Sequence, residues 1–209
     1  MGSVSVLIVD DHALARRFIR EILQTDVDIR VVGEAANGVE AVDGVKQFRP
    51  DVVIMDLFMP VMDGLEAITH IMAFHPVPIL VLTDASNATL AFSAIDKGAL
   101  EVLGKSEIAM ANPKKLIAKI KLFAKVKVIS HPLGKRGTRN LWDVAVPSPG
   151  ELAQLPGKVV AIASSSGGPR ALATIFRGLG AHFPVPVLVA QHVSGEFLSH
   201  MLQWLDGLA

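Results

Sequence analysis

"VSVLIVDDHALARRFIREIL", Val4–Leu23, sets a short β-branched run against two aspartates and then a segment with helical periodicity. The first run suits a pleated strand. Leu14, Phe18 and Ile22 fall at i, i+4 and i+8, which predicts an apolar stripe on a helix. The unit recurs. "IRVVGEA", "DVVIM", "PILVL" and "ALEVL" are further apolar runs, each separated from the next by a helical pattern. Five such pairs predict an α/β fold, a parallel sheet with helices on both faces, whose strands read as continuous apolar runs because both faces are buried.

The chain has 209 residues, enough for one full domain and part or all of a second. Half of it is hydrophobic (51%) and 19% is charged, the balance of a globular protein. A formal net charge of zero supplies no global field toward nucleic acid or an anionic membrane. The absence of cysteine excludes disulfides and thiolate metal sites and fits a reducing compartment. The N-terminal apolar run is stopped by Asp10 and Asp11, too early for a signal peptide. No segment approaches the ~20 apolar residues of a membrane helix. The expectation is a soluble cytoplasmic protein with no nucleic-acid partner and no direct membrane insertion.

Residues 1–125 form the expected first domain. Residues 126–157 are rich in proline, glycine and basic residues and read as a linker, with Trp142 expected to dock on a domain surface. From residue 158 the rhythm restarts: strand "KVVAIA", a turn, a helix from Pro169, strand "VPVLVAQH" and a helix from about Gly195. A segment of about 50 residues is short for a self-sufficient α/β domain, so 158–209 is expected to be the partial start (βαβα) of a second doubly wound domain.

Ligands of open parallel sheets bind outside the carboxyl ends of the strands. Asp10 and Asp11 fall there after the first strand, Asp56 after the third, Thr83 after the fourth and Lys105 after the fifth. Three converging carboxylates call for a hard divalent cation, and Mg²⁺ suits them. A lysine and a hydroxyl beside that cation would complete a phosphoryl-binding site.

On these residues, and on "MDLFMPVMDG" (Met55–Gly64), the first domain resembles a two-component receiver domain. The resemblance implies a flavodoxin-like (βα)5 fold, a histidine kinase as phosphodonor and Asp56 as the phosphoacceptor. It implies Mg²⁺ held by Asp11 directly, by Asp10 largely through water, by Asp56 and by the carbonyl of Phe58, with Thr83 as switch hydroxyl and Lys105 as its companion. Three positions depart from the pattern. Asp84 follows Thr83 where a small residue is usual, Ser106 follows Lys105 where proline is common, and no aromatic precedes the lysine. Phosphorylation is expected to persist with an altered lifetime and a weaker conformational readout.

"VVAIASSSGGPRAL", Val159–Leu172, has the makings of a nucleophile turn. Ser165 ends a strand, Gly167 and Gly168 allow close backbone approach, and Pro169 suits the first helical position. His192, at the end of the next strand, is placed to face Ser165 across adjacent parallel strands. Read from the residues alone, the turn is equally consistent with an anion site, and more simply with a structural turn, since it lacks both G-x-G-x-x-G spacing and a Walker lysine.

Receiver, linker and "VVAIASSSGGPRAL…PVPVLVAQHVSGEF" together resemble the chemotaxis protein-glutamate methylesterases. That resemblance implies Ser165 as nucleophile, Ser166 as a neighbouring hydroxyl and His192 as general base. The implied reaction is hydrolysis of glutamate methyl esters on methyl-accepting chemoreceptors, with related glutamine deamidation, gated by receiver phosphorylation. Ala163 and Ser164 replace the family's Gly-Ala. The family's third triad member, an aspartate in a downstream glycine-rich loop, has no counterpart here, and Asp206 does not match it. Activity of this chain is therefore expected to be low, and the alternative is a non-catalytic, phosphorylation-controlled binding module. No helix-turn-helix pattern follows the linker. His200, Trp204 and Leu208 read as packing or exposed residues. His12, His70, His75, His131 and His182 carry no ligand spacing, so zinc is not expected.

Overall fold

The structure, a computed structural model, describes residues 3–84, 88–110, 114–128, 159–180, 182–193 and 195–208. It divides into two compact units, Met1–Lys135 and Arg136–Ala209. The expected linker from residue 129 onward, with His131 and Trp142, lies outside the described residues.

The first unit runs β1 (Val4–Val9), α1 (Ala13–Leu23), β2 (Ile29–Ala35), α2 (Gly38–Phe48), β3 (Val52–Met55) and α3 (Gly64–Phe74). It continues through β4 (Ile79–Thr83), α4 (Ala88–Lys97), β5 (Glu101–Gly104), α5 (Lys105–Met110) and α6 (Lys114–Phe123). All strand pairs are parallel, in the order β2-β1-β3-β4-β5. The chain winds one way from β1 to β2 and the other way through β3, β4 and β5. That reversal opens a crevice at the carboxyl ends of β1 and β3.

Alternate strand residues serve opposite faces. Val6, Ile8, Ile54, Leu80 and Leu82 meet Ile19, Ile22 and Leu23 of α1 and Leu116, Ile120 and Phe123 of α6. On the other face Leu7 lies under α2, where a Cβ on Gly44 would come within 3.2 Å of its Cδ2. Every residue of β3 and β4 is buried.

The apolar stripe expected on α1 is only partly the buried one. Leu14 is 81% and Phe18 44% exposed, whereas Ile19, Ile22 and Leu23 are buried. A step of four residues overshoots a full turn by about 40°, so a stripe at i, i+4 and i+8 drifts by about 80° along a straight helix. Only its last member, Ile22, reaches the core face.

The second unit contains β6 (Val160–Ser164), α7 (Gly168–Leu179), β7 (Val187–Gln191) and α8 (Gly195–Asp206). β6 and β7 form a two-stranded parallel sheet in register from Val160↔Val187 to Ser164↔Gln191. Leu172 and Ala173 of α7 and Phe197, Met201 and Leu205 of α8 are buried. Among the described residues no helix is long and apolar enough to cross a membrane.

Candidate functional site

The crevice of the first unit is closed by backbone bonds. Asp10 N donates to Ala35 O (3.1 Å), and Asp56 N donates to Val9 O (2.8 Å). Both side chains are buried, Asp10 at 1% and Asp56 at 5% exposure. Lys105, which opens α5, places its Nζ 2.8 Å from Asp10 Oδ2 and 2.8 Å from Asp56 Oδ2. Leu57 N donates to Asp56 Oδ1 (2.8 Å), and His12 N donates to Asp10 Oδ1 (2.9 Å). Thr83, the last residue of β4, is fully buried, and its Oγ1 has no hydrogen-bond partner among the described residues. Asp84 beside it is exposed.

Gly64 lets α3 start against this site. Its N donates to Leu57 O (2.9 Å), and a Cβ there would lie 2.1 Å from Asp56 O. The α3 N-cap is Asp63, whose side chain accepts from Glu66 N. Thus the end of the "MPVMDG" loop is both a helix cap and a close backbone contact under the aspartate.

Burial raises the Asp56 carboxyl above the ordinary aspartate range, against the opposing pull of the Lys105 hydrogen bond and charge. Burial works the other way on Lys105, but its bonds to Asp10 and Asp56 outweigh it and hold the ammonium above its ordinary value. Asp10 and Asp56 therefore share one ammonium, and Asp11 adds a third carboxylate beside Asp10. A buried oxygen-rich set with excess negative charge fits a hard divalent cation.

In the second unit, the register puts Ser165 and His192 one residue past a paired position, Ser164↔Gln191. His192 N donates to Ser164 O (3.1 Å). Gly168 N donates to Ser165 O (2.8 Å), and Gly167 takes φ +76° as the N-cap of α7. Ser165 and His192 are both exposed. Gln191 ties the two loops together: Nε2 donates to Ser165 O and to His192 O (2.9 Å each), while Oε1 accepts from Ser164 Oγ (2.6 Å). Gly168 leaves room for this, since a Cβ on it would fall 2.0 Å from Gln191 Oε1.

Residues 6–121 match the response regulator receiver domain model, and residues 160–209 match the CheB methylesterase model. A protein-glutamate methylesterase/protein-glutamine glutaminase of Paramagnetospirillum magneticum is 41% identical over 100% of this chain and 60% of its own length. Its counterpart in Geobacter metallireducens is 41% identical over 97% of this chain and 60% of its own length. The response regulator domain of Thermotoga maritima CheB superposes with a TM-score of 0.55 at 30% identity, covering 60% of this chain and 98% of that one. The chain belongs to the chemotaxis response regulators of the protein-glutamate methylesterase family.

Within that family, the chain spans about 60% of the length of these curated relatives. The strand-end residues expected from the sequence gather as follows. Asp10, Asp56 and Lys105 are in direct contact, and Asp11 joins Asp10 and His12 in a group whose potential ligand atoms lie within 4.8 Å of one another. Receiver domains of this family bind Mg²⁺ through such acidic residues, and the donor set here fits. Phe58 follows in the loop with a half-exposed ring (44%). Ser165 and His192 come together through their backbones, and among the described residues no carboxylate pairs with the His192 ring.

Two residues escape sequence reasoning. His12 carries no ligand spacing, yet its Nδ1 lies 2.6 Å from Asp11 Oδ1. Gln191 reads as a strand terminus, and only the strand register shows that its amide reaches both loops.

Proposed function

We propose that this chain is a phosphorylation-controlled regulator of glutamate methyl-ester hydrolysis on chemoreceptors, acting in the cytoplasm. The observation that carries the reading is the bridge of Lys105 Nζ between Asp56 and Asp10 at the carboxyl ends of β1, β3 and β5. Asp56 attacks the phosphorus of a kinase phosphohistidine, a P–O bond forms as the P–N bond breaks, and the imidazole leaves with a proton. Lys105 balances the charge on the phosphoryl oxygens, and the unpartnered Thr83 hydroxyl supplies a donor for one of them. Asp10, Asp11, Asp56 and the Phe58 carbonyl would hold Mg²⁺, which when bound offsets charge in the loose transition state.

In the second unit, Ser165 Oγ is the nucleophile toward the ester carbonyl and His192 takes its proton. Methanol leaves, and water then hydrolyses the acyl-serine to glutamate. Attack on a glutamine side chain by the same route would release ammonia, in keeping with the glutaminase name of the relatives. Backbone N–H groups of the turn into α7 would hold the oxyanion.

A second reading, a non-catalytic binding module switched by Asp56, is favoured by the His192 ring, which lacks a carboxylate partner among the described residues. Removing the group that orients a triad histidine costs about 10⁴ in rate. Methanol release from methylated receptors, with and without phosphodonor, separates the two. Release abolished by Ser165→Ala supports the enzyme. Phosphorylation-dependent receptor retention with no methanol release supports the module, and neither result in either form overturns both.

A further inference from the structure

We propose that His12 is an additional metal ligand, giving this receiver a mixed imidazole–carboxylate cation site that favours first-row transition ions over Mg²⁺. The proposal rests on the reading of Asp10, Asp11 and Asp56 as the cation site. His12 occupies the N-cap position of α1 but makes no side-chain capping bond, so its ring is not engaged with the helix end. Ser, Thr, Asn and Asp are the residues that cap well, and histidine gains little there.

The ring turns instead to the acidic pair. His12 Nδ1 lies 2.6 Å from Asp11 Oδ1 and 3.7 Å from Asp10 Oδ1. Asp11 Oδ1 is buried and, apart from this ion-pair contact, has no hydrogen-bond partner among the described residues. The ring nitrogen and the carboxylate oxygen face each other at ion-pair distance, and the same two atoms lie close enough to serve one cation together. Asp10, 99% removed from solvent, brings a third donor atom to the same group, all within 4.8 Å.

The loop that carries these groups is held from behind. Arg16 Nη1 donates to the carbonyls of Asp10 (2.7 Å) and Asp11 (3.2 Å), and its Nε is fixed by Glu34 (3.1 Å). The backbone between the two aspartates and His12 is therefore set before any ion arrives. Such outer support sharpens a metal site's affinity and geometry. The His12 side chain itself is 74% exposed, free to complete the shell from the solvent side.

Ligand chemistry gives the direction of selectivity. Mg²⁺ prefers oxygen donors and keeps its water, whereas first-row transition ions accept imidazole readily. An imidazole donor adds to whatever preference the oxygen donors already have.

The test uses the full chain and Mn²⁺ as a paramagnetic probe, with no phosphorylation required. Electron paramagnetic resonance titration gives Mn²⁺ affinity and its competition by Mg²⁺, and pulsed measurement of the bound Mn²⁺ detects a coordinated nitrogen. Wild type is expected to show imidazole ¹⁴N coupling. His12→Asn, which keeps a good N-cap, is expected to lose that coupling and to lower the Mn²⁺-over-Mg²⁺ preference about tenfold. Bound Mn²⁺ with no nitrogen coupling, coupling that survives in His12→Asn, or an unchanged preference overturns the proposal and leaves the carboxylate site standing. Mn²⁺ bound without dependence on Asp11, judged with Asp11→Asn, overturns the cation-site reading and this proposal with it. Absence of Mn²⁺ binding does the same.

Discussion

The two units place polar groups by one rule and bury apolar residues to very different extents. In the first, all four residues of β3 and all five of β4 are buried. In the second, β6 and β7 each expose three of their five residues, Leu188 being 62% exposed. Both nevertheless carry candidate reactive residues just past the carboxyl ends of parallel strands. Placement of a site needs one strand pair and a turn. Burial needs neighbouring strands and helices on both faces. The local grammar of a site is therefore written in a shorter stretch of sequence than its stability.

The widest gap between the units is expected from matched truncations. Ile54→Ala, at a residue 1% exposed, should cost about 3–4 kcal/mol, while Leu188→Ala in β7 should stay within about 0.5 kcal/mol. Residue-level hydrogen exchange reads each unit separately. Similar costs at the two positions would break the contrast.

A second pair sharpens it at the sites themselves. Gly64→Ala puts a methyl group 2.1 Å from Asp56 O and should cost about 3 kcal/mol, displacing the loop that carries the aspartate. Gly167→Ala meets nothing within 4 Å, so only its φ of +76° counts, at about 1 kcal/mol. Denaturant unfolding of the two variants checks the order, and a larger loss at Gly167 would reverse the argument.

The buried charge of the first unit should show in its pH dependence without metal. Burial raises the folded pKa of Asp56 above its ordinary value. Its contribution to stability is then fully present below the ordinary aspartate pKa of about 3.9 and is lost as pH rises through the folded value. Relative to wild type, Asp56→Asn should gain stability as pH increases across that window, measured by urea unfolding in the presence of a chelator. A relative loss over the same window would show the Lys105 attraction to be the stronger influence.

The smallest effect concerns the loop between β3 and α3. Val61 is β-branched, 85% exposed and held at φ +70°. Val61→Asn should stabilise the first unit by about 1 kcal/mol, because asparagine tolerates this conformation far better. A melting temperature that stays the same or falls would mean that the valine has an unrecognised contact.

Much of this was legible in the sequence because a parallel strand buried on both faces announces itself as a continuous apolar run, and strand ends then locate Asp10, Asp56, Thr83 and Lys105. The β6–β7 pairing was legible from two apolar runs flanking a helical pattern, although both strands are largely exposed, and it brought Ser165 beside His192. The core face of α1 was misread because spacing alone does not tell which side of a helix meets the sheet: Leu14 and Phe18 are periodic yet exposed. The roles of His12 and Gln191 lie in side-chain directions that no spacing rule encodes. His12 depends on how the Asp10–Asp11 loop enters α1, and Gln191 on a two-stranded register known only once the strands are paired.

The central claim is that the buried aspartate beside Lys105 accepts a phosphoryl group. It is tested most directly by incubating the full chain with acetyl phosphate and a divalent cation and mapping the modification by mass spectrometry. The account predicts one added phosphoryl group on Asp56, dependent on the cation and absent from Asp56→Asn. No modification, or one that persists in Asp56→Asn, would contradict it.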